Sequence, residues 1–234
     1  MRSILRSRNR VALVALLGVF ATAAGAQGFK FSQPDEGAKA DRAAQEARQQ
    51  RIAEDLATPC RADLKGKKIM VIIGQVDSGG AISAQQQNYG PHYQAINTRL
   101  RALGLRTFTP EEIKAQVAQA EIDAYFRNDP DAALAASKRL GASFVLRGLI
   151  SSQAAMNVII PVNQVSVGMG FTLTGGNGKT LSSVDAHSSS YAGADVQRMA
   201  LTLVNEQADE VVARLYADYC RNAPAAPPPP ARKK

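Results

Sequence analysis

Five apolar side chains, Val165, Val167, Met169, Phe171 and Leu173, are separated one by one by serine, glycine, glycine and threonine. An unbroken period of two puts the five on one side of an extended strand and the small residues on the other. Such a strand needs a sheet with one buried face and one solvated face. Gly175-Gly176-Asn177-Gly178 comes next, followed by a second extended stretch, residues 179–191, so the spacing predicts a β-hairpin. Beyond it Val196, Met199, Leu203, Val211, Leu215 and Tyr219 share one stripe of a long helix over residues 194–219. That stripe can cover the hairpin's apolar side.

The chain upstream must supply the rest of the sheet. Residues 68–74, Lys-Ile-Met-Val-Ile-Ile-Gly, form a continuous apolar run that reads as a strand buried on both faces. A long polar loop is expected over residues 75–90, and Pro91 suits the first turn of a helix bearing Tyr93, Ile96, Leu100 and Leu103 on one face. Residues 105–108 are a short strand. Thr109-Pro110-Glu111-Glu112 is a capping box that opens a helix running through Ile113 and Val117 to about Phe126. Asp129-Pro130 opens another, ending at Gly141. Residues 143–150 are the next strand, and 158–162 are expected to add one more. The order β, α, β, α, α, β, hairpin, α predicts an α/β (α+β) fold: a mixed sheet with helices packed on it, a C-terminal β-hairpin and a long closing helix.

The ends have a different composition. Arg2, Arg6, Arg8 and Arg10 precede an uncharged apolar run, residues 11–20, and Ala24-Gly25-Ala26 is a small-residue cleavage site. This reads as a secretory signal peptide over residues 1–26, removed to leave Gln27 first. The run is about half the ~20 residues that a retained spanning helix needs. The formal charge of +8 falls to +4 without those four arginines. No basic stripe interleaved with aromatics is present, so nucleic acid is not an expected partner. Residues 27–60 are a lead-in and an Ala-rich helix with a thin apolar stripe. Residues 61–220 are the patterned domain. Residues 221–234, with Pro227 to Pro230 and a basic end, are a polyproline tail.

The two cysteines, Cys60 and Cys220, sit at the two edges of the patterned domain. In an exported chain an even pair points to a disulfide, the alternative being two free buried thiols.

Several stretches together resemble a known family. They are the strand at 68–74, Leu103-Gly104-Leu105, Phe108-Thr109-Pro110-Glu111-Glu112, and Leu140-Gly141-Ala142-Ser143-Phe144-Val145-Leu146-Arg147-Gly148. The alternating strand with Gly178-Lys179-Thr180-Leu181 and the closing helix complete the set. Over residues 66–219 the chain is similar to the bacterial envelope family that includes CsgG, LpoB, FlgT and the N-terminal domain of TolB. The resemblance implies an envelope scaffold or assembly role. Two departures limit it. The acylated cysteine of the lipoprotein members is missing, and there is little room for the hairpins of a curli pore.

Chemistry is thinly represented. The two histidines are His92 and His187. Asp185 and His187 share a strand face and have serines beside them, which is the basis of an alternative reading as a secreted hydrolase using His187 with a nearby serine. No nucleophile elbow accompanies them. Gly175 to Thr180 ends like a phosphate loop, but the first glycine that motif needs is Leu173. No metal-ligand spacing occurs, and no cofactor is expected. The best candidate for function is the loop after the first strand, with Asp77, Gly79, Gly80, Gln87, Tyr89, His92 and Tyr93 as its candidate partner-binding residues. It lies where open α/β sheets usually bind ligands. The expected protein is a non-catalytic, soluble periplasmic accessory or assembly factor that binds envelope protein partners. A ring-forming structural subunit is the further alternative.

Overall fold

The computed structural model describes residues 36–60, 62–77, 79–84, 90–127, 129–159, 161–192 and 195–222. The signal peptide, Gln87, Tyr89 and the proline-rich tail lie outside them. The elements, in chain order, are α1 (Glu36–Leu56), β1 (Lys68–Val76), β2 (Ile82–Ser83), α2 (Gly90–Ala102), β3 (Arg106–Thr107) and α3 (Pro110–Gln116). They continue with α4 (Gln119–Phe126), α5 (Pro130–Leu140), β4 (Phe144–Met156), β5 (Asn163–Gly175), β6 (Thr180–Ala192) and α6 (Val196–Asn222). The division between two compact units falls after Ala40, and α1 from Asp41 onward belongs to the second. There it is solvent-exposed on most sides, as its alanine stripe predicts, and Arg51 reaches Glu210 of α6 at 3.4 Å.

The strands form one mixed sheet in the order β2-β1-β4-β5-β6, with β3 also paired to β1. β1 runs parallel to β4, while β4, β5 and β6 are antiparallel neighbours. β1 is covered on both faces, and its residues Met70 to Ile73 are all buried. α2 and α6 cover one face over Val71, Leu146, Phe171 and Val184. α3, α4 and α5 cover the other over Met70, Ile72 and Val145. Helices on both faces, a closing helix and the predicted hairpin together make the α/β class expected from the pattern. Each large aliphatic side chain fully withdrawn from water contributes about 1.5–3 kcal/mol before entropy is counted.

Local chemistry sets the helix ends. The Glu112 amide donates to Thr109 Oγ1 at 3.2 Å and the Thr109 amide donates to Glu112 Oε2 at 2.8 Å, the reciprocal box read from the sequence. Asp129 Oδ1 accepts from the Asp131 and Ala132 amides, and Gly141 closes α5 at φ +63°, a conformation that costs glycine little. Arg99 of α2 holds Asp209 of α6 at 2.6 and 2.9 Å and the Asn205 carbonyl at 3.0 Å, locking the two helices of one face together. On the other face Arg139 of α5 holds Glu121 of α4 at 2.5 Å, which keeps that carboxyl below the usual carboxylate range. Cys60 and Cys220 are joined by a disulfide across a sequence separation of 160.

Three expectations need correction. The helix read as continuous to Phe126 is broken: Val117 is extended at φ −123°, ψ 120° and buried, and the Glu121 side chain reaches back to the Ala118 amide at 3.0 Å to start α4 afresh. A β-branched residue that gains a core site by leaving the helix favours this break. Of the strand expected over 158–162, the described residues Val158, Ile159, Pro161 and Val162 are not in a strand. Asn157 donates to the Val162 carbonyl at 2.9 Å and its side chain accepts from the Ile159 amide at 2.9 Å, so the segment is the turn between a longer β4 and β5. The loop expected after β1 contains regular structure. β1 extends to Val76, a tight turn follows, and β2 folds back on Gln75 and Val76.

Candidate partner-binding groove

The parallel pair β1 and β4 ends beside the first turns of two helices, α2 and α6. Between them lies a groove of about 610 Å³. Its floor is Gln75 of β1, Ile150 and Ser152 of β4 and Val167 of β5; His92 of α2 and Arg198 of α6 stand on its walls. The placement follows from topology. The chain leaves a parallel strand at its carboxyl end and must cross over, so helix starts cluster there and leave a crevice. Asp195 fixes the α6 wall: its Oδ1 accepts the Arg198 amide at 2.9 Å in the N-cap manner, and its other oxygen meets Arg198 Nε at 3.1 Å. The lining is thus mixed, with an ion pair at the rim and aliphatic carbon below.

The candidate residues divide between three environments. Asp77 builds the turn after β1: its Oδ1 accepts the Gly79 and Ala81 amides, each at 2.9 Å, and Gly80 takes φ +80°. Asp77, Gly79 and Gly80 therefore hold a turn, and the groove is lined without them. His92 does line it, half-buried, and burial lowers its imidazole below the ordinary 6.5. A neutral imidazole at neutral pH can donate one hydrogen bond and accept another.

Tyr93 is not a surface contact. It is 3% exposed and packs in the core under α2. Burial pushes its phenol up to about 12, against a smaller opposing pull from the Asn97 side chain. Gln87 and Tyr89 lie outside the described residues. The contributions of Ile150, Ser152 and Arg198 were not anticipated, although a helix start following the hairpin was the available signal.

The second cluster considered from sequence, Asp185 and His187, sits on the opposite sheet face. The His187 ring lies across Gly168, beside Ser151 and Ser189, on an open polar surface. Among the described residues, no hydrogen bond joins the His187 ring to Asp185 or to a serine. None of their His, Cys, Asp and Glu side chains gather in a group of three that could hold a metal. None of the described helices is long and apolar enough to cross a membrane.

No family model matches the chain, and no curated protein matches it. Solved structures similar to it include the lipoprotein GNA1162 from Neisseria meningitidis, at 14% identity over 62% of this chain and 97% of that one, with a TM-score of 0.43. The hypothetical protein CT253 from Chlamydia trachomatis is similar at 15% identity over 68% of this chain and 99% of that one, TM-score 0.48. The LpoB C-terminal domain from Escherichia coli is similar at 13% identity over 60% of this chain and 94% of that one, TM-score 0.33.

Proposed function

We propose that this protein is a non-catalytic, soluble periplasmic accessory or assembly factor of the CsgG, LpoB, FlgT and TolB N-terminal type, which seats a segment of an envelope protein in the groove above β1 and β4. In this reading the signal peptide is cleaved near Ala26 and the mature chain docks onto secretion, cell-wall or flagellar machinery.

The single observation that carries the reading is the groove itself. Its volume is about 610 Å³, within the ~300–1,000 Å³ of ordinary binding clefts. It combines aliphatic floor residues, Ile150 and Val167, with polar groups that can pair with a peptide backbone, Gln75, Ser152 and His92. A segment that lays a side chain on the floor and its amides against those groups would gain both affinity and register.

The test is a photo-crosslinking amino acid placed at Gln197 in the native host, with the same group at Lys114 on the distant α3 as control. The expected result is a discrete adduct from position 197 alone, lost when Ala200→Arg fills the groove while thermal unfolding stays unchanged. Equal labelling from both positions would remove the groove from the account.

A further inference from the structure

The turn between β4 and β5 carries a feature that the groove does not explain. Met156, Val158 and Ile159 are 68%, 99% and 87% exposed. Scattered exposed aliphatics are ordinary, but three together at one tip are not. The tip is also held in shape, by the Asn157 amide on the Val162 carbonyl and the Ile159 amide on the Asn157 side chain. These side chains are presented outward by a defined turn.

The tip projects beyond its neighbour. β1 ends where Val76 pairs with Ser151, so β4 continues from Ser152 to Met156 with no strand on that side. At ~3.4 Å per residue this is a protrusion of roughly 17 Å. β6 accompanies the other side to its last residue, Ala192, which pairs with Asn163. Tyr191, 55% exposed, stands just below the tip.

Charge is absent from the whole projection. From Gly148 to Gly178 the sequence contains no Asp, Glu, Lys or Arg. Across the strands the nearest charges are Asp77, one residue past the Val76–Ser151 pair, and Asp185, level with Gly170 and Leu149. These stand four and seven residues below Met156, roughly 14 and 24 Å at ~3.4 Å per residue. The rim pair Asp195 and Arg198 lies beside Ser152 and Val167 in the groove.

From this geometry we propose that the β4–β5 tip inserts shallowly into the surface of a lipid bilayer, with Met156, Val158 and Ile159 as the inserting side chains. A protruding, uncharged aliphatic tip suits an acyl boundary. The residues that dominate protein interfaces, Trp, Tyr and Arg, are missing from it except for Tyr191. A tyrosine just below such a tip is placed where aromatic side chains sit at the headgroup level. Depth is limited by the hairpin's own sides. Ser151, Gln153, Ser166 and Gly168 share one face below the tip, and the apolar face opposite, with Val165 and Val167, is already packed against Leu203 and Val204 of α6, so only the tip is free to meet lipid. Interfacial insertion of about 5–10 Å is what the apolar length allows. The inference does not depend on the groove reading.

The chain has no tryptophan, so Val158→Trp places a single reporter at a position already in solvent. The experiment adds vesicles of uncharged phosphatidylcholine to the full chain carrying that substitution. The expected result is a blue-shifted emission, quenched more by lipids brominated near the headgroup end of the acyl chain than near its terminus. Adding Ile159→Asp should weaken the apparent partitioning at least tenfold. Three outcomes overturn the proposal: emission unchanged at saturating lipid; a shift that persists undiminished with Ile159→Asp, which would mean that another part of the chain carries the tip to the vesicle; or a concentration-dependent shift without lipid, which would assign the tip to self-association.

Discussion

The disulfide between Cys60 and Cys220 closes nearly the whole folded domain into one loop, with a sequence separation of 160. In the chain-entropy treatment, a loop of that length removes about 5 kcal/mol of freedom from the unfolded state at 25 °C. Measured values for native disulfides are typically lower, at about 2–5 kcal/mol. For a chain of this size ~1 kcal/mol moves the melting temperature by about 2–4 °C, so reduction should lower it by roughly 5–20 °C. The assay is urea unfolding of the oxidised and reduced wild-type protein, which keeps both sulfur atoms in place and isolates the covalent bond. A Cys60→Ala/Cys220→Ala variant adds the loss of packing around Cys220, which is 9% exposed. If the bond acts on the unfolded state, reduction should also raise the urea dependence of stability, because the open chain exposes more surface. A reduced protein that unfolds within about 1 kcal/mol of the oxidised one, with the same urea dependence, would refute the loop argument.

Two further outcomes follow from packing and charge. Gly148→Ala puts a Cβ 2.5 Å from Phe171 Cε1 and 3.0 Å from its Cδ1, against a ring that is 1% exposed, and should cost about 1–3 kcal/mol in urea unfolding; a neutral result would mean that the Phe171 ring can slide. His92 is harder to protonate in the folded state than in the unfolded state, so its contribution to stability is complete above pH 6.5 and declines as pH falls from there toward its lower folded value. His92→Gln should flatten the stability profile in that window and leave the separate acid decline, set by Glu121 paired with Arg139, in place below the ordinary carboxylate value of 4.5.

The hairpin was legible because its pattern has a single solution. Val165, Val167, Met169, Phe171 and Leu173 are all buried, and shifting the register by one residue would have turned all five to the other face. The helix starts at Thr109 and Asp129 were legible because a hydroxyl or carboxylate three residues before the right partner is a local signal. The misses share a cause. Residues 158–162 look like a strand if apolar means buried, yet Val158 and Ile159 are nearly fully exposed. Ile82 and Ser83 form a strand by backbone pairing to β1 alone, which no side-chain pattern announces. The groove was half-legible: His92 was identified from the position of its loop, while Ile150, Ser152 and Arg198 meet it only through strand order, which sequence spacing does not fix.

The distribution of polar residues on the sheet has one physical origin. The helices α2 and α6 cover the face to which Leu146, Phe171 and Val184 belong. On the other face α3, α4 and α5 cover β1 and the start of β4, and that apolar cluster ends at Leu149. Beyond it the second face of β5 and β6 meets water, so its positions are Ser166, Gly168, Gly170, Thr172, Ser183, Asp185, His187 and Ser189. β1, covered on both sides, could not alternate; β5, covered on one, had to. The Asp185, His187 and serine grouping that looks reactive in the sequence is what an uncovered sheet face requires of its outward residues. Where that same economy of polar side chains breaks down, at the bare aliphatics of the β4–β5 tip, solvation no longer accounts for the sequence and a partner of low polarity is called for.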